Sequence, residues 1–173
     1  QYVNQIQQQG GKKVLQIIEY QVSITDSYHT QTMIENFDAY VSRSFIVQQK
    51  LDENHTVVLY YDESTKTWKP VPTFVEQTES GTVVHFQRRG NSIYALSQVN
   101  QTFKDIQHHW AKKDIELMAS RMIVKGVDKN NFDANASITR AQFTALLVKG
   151  LGLASTKTKS TNQHFRDVPS NVW

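Results

Sequence analysis

The stretch Phe103-Lys104-Asp105-Ile106-Gln107-His108-His109-Trp110 divides the chain. Before it, apolar residues recur with a period of two; after it, they recur with the period of a helix. Upstream, Ile18, Tyr20, Val22 and Ile24 alternate with Glu19, Gln21 and Ser23, the pattern of a strand with one buried face. Further strands are predicted at Tyr40–Val47, Thr56–Tyr61, Trp68–Val75, Thr82–Gln87 and Ser92–Ser97. Turn chemistry separates them at Asp52-Glu53-Asn54, Asp62-Glu63-Ser64, Glu79-Ser80-Gly81 and Gly90-Asn91. Pro70 and Pro72 cannot donate to a central ladder, so their strand belongs at an edge or carries a bulge. Thr30–Ala39 fits either a loop or a helical turn. Short strands at this spacing predict an antiparallel β-sandwich over residues 14–99. Residues 1–13 are Gln-rich, contain Gly10-Gly11, and read as a linker with room for a short helix.

Downstream, Ala111, Ile115, Met118, Ala119 and Met122 form one helical stripe, read as core. Gly126 is placed to supply the left-handed residue that ends this helix. A polar loop, Asp128–Ala136, is expected to be pinned by Phe132. A second helix is predicted over Arg140–Lys149, with Phe143, Leu146 and Leu147 on a buried face and Gly150 as its stop. The chain thus reads as α+β and multidomain, a sandwich followed by a small helical unit over 103–153. Residues 154–164 are Ser/Thr/Lys-rich and read as a mobile connector.

The dividing stretch also returns. Phe165-Arg166-Asp167-Val168, closed by Trp173, repeats the order Phe-basic-Asp-aliphatic and Trp seen from Phe103 to Trp110. Repetition of this kind signals a modular array, here entered a second time at residues 165–173 and expected to be truncated there.

Composition narrows the function. With 39% hydrophobic and 20% charged residues among 173, the chain can bury a core. No apolar run approaches a membrane span, and neither an initiator Met nor a leader peptide opens it. The absence of cysteine excludes disulfides, thiolate metal sites and a cysteine nucleophile. Charge is uneven: 8 Lys/Arg against 10 Asp/Glu up to residue 99, a net of −2, and 11 against 6 thereafter, a net of +5. The basic half suits either a polyanionic partner or a solvated surface.

The densest local signal is Ile138-Thr139-Arg140-Ala141-Gln142-Phe143. Thr139 and Gln142 stand at capping-box spacing, with Ile138 and Phe143 as a hydrophobic staple. Arg140 is the odd member. A cation in a first turn opposes the helix dipole at a cost of about 0.3–1 kcal/mol. It either pairs with an acid such as Asp105 or Asp133, or joins the free first-turn amides in an anion site for a carboxylate or phosphate. Trp110 is open to two uses, core burial being the commoner and sugar stacking the other.

Rival chemistries find little support. Asp62 and Glu63, or Glu76 and Glu79, sit in or beside turns rather than as a spaced carboxylate pair. There is no Gly-x-Ser-x-Gly elbow and no His-Glu-x-x-His. His108 and His109 are adjacent, which points them apart on a helix, so neither a metal nor a cofactor is expected. The separation from Gly126 to Thr139 is too long for a helix-turn-helix, and Asp128–Ala136 lacks the Gly and closing Glu of a Ca²⁺ loop. Neither an enzyme nor a nucleic-acid binder is indicated.

Phe103-Lys-Asp-Ile, His109-Trp110-Ala111, Ile115, Ile123-Val124-Lys125-Gly126, Phe132, Ile138-Thr139-Arg140-Ala141-Gln142-Phe143 and Leu146-Leu147 resemble, in order and spacing, the S-layer homology motif. The resemblance implies motifs usually present in threes, packed as a pseudo-trimer of helices. It implies non-covalent attachment of an exported bacterial surface protein to an anionic, often pyruvylated, secondary cell-wall polysaccharide. Location at the cell wall or S-layer follows. By the same resemblance Arg140 would meet the polymer anion, Trp110 and Gly126 fall on the family's Trp and Gly, Asp105 matches its early Asp, and Thr139 opens its Thr-Arg-Ala-Glu element. Gln142 departs from the usual Glu while keeping the capping role. Neighbouring motifs are implied partners, since the family's grooves lie between them. Residues 14–97 also resemble, through Trp68-Lys-Pro-Val-Pro-Thr and Asn91-Ser-Ile-Tyr-Ala, a β-rich module that precedes such motifs and acts as a spacer. The alternative is a non-catalytic fragment of a larger, glycan-active surface enzyme.

Overall fold

The computed structural model describes residues 2–8 and 13–153; the expectations for residues 154–173 and for Gly10-Gly11 lie outside them. Helix α1 (Tyr2–Gln8) is followed by nine strands and two further helices: β1 (Lys13–Glu19), β2 (Ser23–Thr25), β3 (Gln31–Met33), β4 (Asn36–Val47), β5 (Thr56–Asp62), β6 (Thr67–Val71), β7 (Thr73–Thr78), β8 (Gly81–Gly90), β9 (Ile93–Gln98), α2 (Lys112–Ser120) and α3 (Arg140–Leu151).

The strands form two antiparallel sheets, ordered β1-β9-β5-β6 and β4-β8-β7, with β2-β3 as a separate hairpin. Alternate residues of both sheets meet in one core: Phe45, Val58, Val71, Val75, Val84, Phe86, Tyr94 and Leu96. This is the β-sandwich expected from the period-two pattern. The four-stranded sheet is apolar on its outer face too. Val57, Leu59, Tyr61, Trp68 and Ala95 pack there beneath α1, whose Ile6 is fully buried. The short helix allowed for in residues 1–13 is therefore part of the packed structure, with Tyr2 edge-on to both Tyr61 and Trp68.

Three strand expectations need correction. The alternation from Ile18 to Ile24 is not one strand: β1 ends at Glu19, and Val22 and Ile24 lie exposed in and beside the small hairpin. Thr30–Ala39 is neither loop nor helical turn but holds β3 and the start of β4. Trp68–Val75 is two strands. Pro72 interrupts it, so that β6 stays at the edge of one sheet and β7 crosses to the edge of the other. The edge position inferred from the prolines holds for both.

Beyond the sandwich, Phe103, Ile106 and Ala119 are buried together, with Ile115, Val124, Phe132 and Ala134 packed against them. The stripe of α2 is thus only partly core. Ala119 is buried and Ile115 half-buried, Met118 is exposed, and Met122 turns away to the outer cluster of the sandwich. Helix α2 ends in a Schellman pattern, with Ile123 N–H donating to Met118 O at 2.9 Å and Met122 N–H to Ala119 O at 2.9 Å. The left-handed residue is Met122, at φ 59°, not Gly126. Helix α3 likewise runs through Gly150 and stops at Gly152, φ 63°. Its expected buried face is not buried: Phe143 and Leu147 are exposed, Leu146 is only half-buried, and no residue of α3 is fully covered. The reason is that no described element lies against that side of the helix.

Candidate functional site

The start of α3 is built as its sequence demands. Gln142 N–H donates to Thr139 Oγ1 at 3.1 Å, and Thr139 N–H donates to Gln142 Oε1 at 2.8 Å, completing the capping box. Thr139 is extended, φ −77° and ψ 159°. The flanking Ile138 and Phe143 both remain more than half exposed, so the apolar staple is open to solvent.

Arg140 follows the cap as the first helical residue and is exposed. Its guanidinium has no hydrogen-bond or ion-pair partner among the described residues; only its carbonyl is engaged, by Thr144 Oγ1 at 3.0 Å. The pairing with Asp105 or Asp133 left open by the sequence is not made. What remains is a cation beside first-turn amides, an arrangement that suits a carboxylate or phosphate.

Asp105 has a different task. Its Oδ1 and Oδ2 both accept from Phe132 N–H at 3.0 Å, and Oδ2 accepts from Asp133 N–H at 2.7 Å. These backbone donors hold its pKa below the usual carboxylate range. Asp128 folds the same loop from its other end, accepting from the amides of Asn130 and Asn131 and from Asn131 Nδ2 at 2.7–2.9 Å, and its pKa is lowered by these bonds, that to the Asn131 side chain foremost. The Phe103 and Phe132 rings then meet at 5.3 Å, as the pinning role of Phe132 requires. Gly126 completes this clamp. A Cβ there would lie 2.3 Å from Asn131 O and 2.6 Å from the Phe103 ring, so glycine is required by close approach rather than by a left-handed backbone.

Trp110 is 89% exposed, against the core burial that is the commoner fate of such an indole. Its one ring neighbour among the described residues is His109, with centroids 5.6 Å apart, and His109 Nδ1 accepts from Ala111 N–H at 3.2 Å just before α2. An uncovered indole of this kind offers a flat apolar face. The five residues singled out in the sequence thus fall into three places: Asp105 and Gly126 in the loop clamp, Thr139 and Arg140 at the head of α3, and Trp110 ahead of α2.

Two residues escaped the sequence. Arg121 donates from Nη1 to Thr73 O at 2.9 Å and from Nη2 to Glu53 O at 3.0 Å, tying the end of α2 to the sandwich. Lys149 donates weakly to Ile123 O at 3.4 Å. Arg121 is the C-cap of α2 and Lys149 lies in the last turn of α3, places where a basic residue is expected as a dipole partner and marks nothing further.

Residues 102–144 match the S-layer homology domain family model, and this part of the chain is such a domain, a non-catalytic module that anchors proteins to cell-wall polymers. The chain is 36% identical over 122 residues to an amylopullulanase of Thermoanaerobacterium thermosulfurigenes, a match covering 70% of this chain and 6% of that protein. It is 29% identical over 160 residues to endo-1,4-beta-xylanase A of Thermoanaerobacterium saccharolyticum, covering 91% of this chain and 12% of the relative. A cellulosome-anchoring protein of Acetivibrio thermocellus is 32% identical over 100 residues, covering 57% and 22%. The chain therefore spans only a small part of these relatives. No solved structure matches it. Among the described residues no helix is long and apolar enough to cross a membrane.

Proposed function

We propose that this chain is the wall-attachment part of a longer bacterial surface protein, held non-covalently to an anionic secondary cell-wall polysaccharide outside the cell. Arg140 takes the anionic group of the polymer, such as a pyruvyl ketal. Trp110 offers its face to a sugar ring, while Asp105, Gly126 and Thr139 hold the loop and helix start that present them. The single observation carrying this reading is the exposed guanidinium of Arg140, free of any carboxylate among the described residues, on a helix start with a complete capping box. The sandwich serves as spacer and performs no catalysis. Neighbouring motifs complete the grooves, and the uncovered apolar side of α3, with Leu151 65% exposed, is the surface they would cover.

The test is co-sedimentation with purified cell-wall sacculi, before and after chemical removal of the secondary polymer, using a longer chain that carries the following motifs. Binding should vanish with the polymer. Arg140→Ala should weaken it about tenfold or more, the scale of one charge-assisted hydrogen bond. Unchanged binding by that variant would remove Arg140 from the site.

A second reading is favoured by the relatives. Two are named as glycan-active enzymes, and this chain corresponds to 6% and 12% of them. The parent protein would then be a surface enzyme with its catalytic part elsewhere, and this chain its tether. Glycan turnover by the parent but not by this chain is the expected result.

A further inference from the structure

A cavity of about 120 Å³ opens where the helical unit meets the sandwich. Its walls include Pro70, Pro72 and Thr73 from the β6–β7 crossing, Arg121 from the end of α2, and Lys149 and Gly150 from α3. No carboxylate is among the residues lining it. Pro70 and Pro72 bring no N–H, so the two side-chain cations dominate its polarity.

Neither cation is neutralised among the described residues. Lys149 makes no ion pair among the described residues, its ammonium reaching only Ile123 O at a long 3.4 Å. Arg121 spends both terminal nitrogens on backbone carbonyls, and its buried Nε has no acceptor among the described residues. Burial, and then the charges of Lys125 and Lys69, lower the Lys149 pKa. Lys69 is itself paired, with Asp62 at 2.5 Å. A buried guanidinium N–H without an acceptor is costly unless something answers it, and the exposed Lys149 ammonium stands beside it.

We propose that this junction cavity is a second anion site, binding an oxyanion, a carboxylate or a phosphate, between Lys149 Nζ and Arg121 Nε. It lies between the sandwich and the helical unit, not at the head of α3. It therefore does not depend on Arg140, and its occupant would lock the two parts of the chain together.

The experiment is a titration of the full 173-residue chain with sodium phosphate and, separately, sodium acetate, at constant ionic strength and followed by ¹H–¹⁵N spectra. Saturable shifts are expected at Arg121 Nε–H and at the amides of Thr73, Gly150 and Ile123. Saturation by one salt alone identifies the chemistry as phosphate or carboxylate; saturation by both assigns a general oxyanion site. Lys149→Gln should weaken binding about tenfold, Lys149→Arg should retain it, and Arg140→Ala should leave it unchanged. Thermal melts of each variant establish that the fold persists. If neither salt gives saturable shifts at these groups, or if the shifts survive Lys149→Gln and disappear with Arg140→Ala, the proposal fails while the wall-attachment reading stands on its own test.

Discussion

Arg121 Nη1 lies 2.9 Å from the carbonyl oxygen of Thr73, so a side chain at the end of α2 closes onto the first residue of β7. With the second bond to Glu53 O at 3.0 Å, one guanidinium bridges two separate parts of the sandwich. Both acceptors are backbone carbonyls that a short side chain in this place would leave without this donor. Arg121→Ala should therefore lower stability by about 1.5–3 kcal/mol, the range for bonds to a charged group. Urea unfolding followed by fluorescence of buried Trp68 measures it. A loss below a few tenths would mean that the bridge is solvent-exchanged and contributes nothing.

The loop clamp should be acid-sensitive. Asp105 has a folded pKa below its ordinary value, chiefly because the amides of Asp133 and Phe132 donate to it. A depressed carboxylate pKa contributes stability above the unfolded value near ~4 and loses it as pH falls through the folded value. Amide exchange at Phe132 and Asp133 should accelerate as pH drops below about 4, after correction for intrinsic rates. Asp105→Ala should show the fast exchange at neutral pH already. Exchange in that variant identical to the parent would dismiss Asp105 as the loop's anchor.

Gly126 offers a separate check on the same clamp. The Cβ of Gly126→Ala would sit 2.3 Å from Asn131 O and 2.8 Å from Asp128 O, both backbone atoms that a rotamer change cannot move. Overpacking of this kind costs about 1–3 kcal/mol. The Phe103–Phe132 contact should loosen in the variant, seen as a change in the Phe103 and Phe132 ring resonances. A polymer contact alone would predict lost binding with those resonances unmoved.

Where the sequence could be read, one local rule acted without competition. The capping box at Thr139 and Gln142 is made of neighbours, so spacing alone specifies it. The sandwich follows from strands such as β5 and β8, whose flanking turns are unambiguous. Reading failed where a distant contact overrode the local rule. Gly126 looked like a helix stop, yet its cause is the Phe103 ring and the Asn131 carbonyl, reached only after folding. Met122 looked like a continuation of the α2 stripe, yet it reverses at φ 59° and packs on the sandwich. An indole such as Trp110 is more often core, yet it lies exposed. The apolar pattern of α3 was real, but a pattern cannot say whether the element that covers it is present.

Met122 allows that override to be measured. A non-glycine residue in the left-handed region is strained by about 1 kcal/mol relative to glycine. Met122 accepts the strain because its side chain joins the cluster of Val57, Leu59 and Trp68, and partial burial of a Met side chain, on the order of 1–1.5 kcal/mol against more for full burial, offsets it. Two opposed effects then predict an order among three proteins. Met122→Gly relieves the backbone but loses the packing, and should fall somewhat below the parent. Met122→Ala loses the packing and keeps the strain, and should be lowest, about 1 kcal/mol below the glycine variant. That ordering reverses the usual advantage of alanine over glycine near a helix. Thermal or urea midpoints for the three proteins decide the matter: an alanine variant more stable than the glycine variant would mean that α2 simply continues through Met122, and the left-handed turn that directs the side chain onto the sandwich would have to be abandoned.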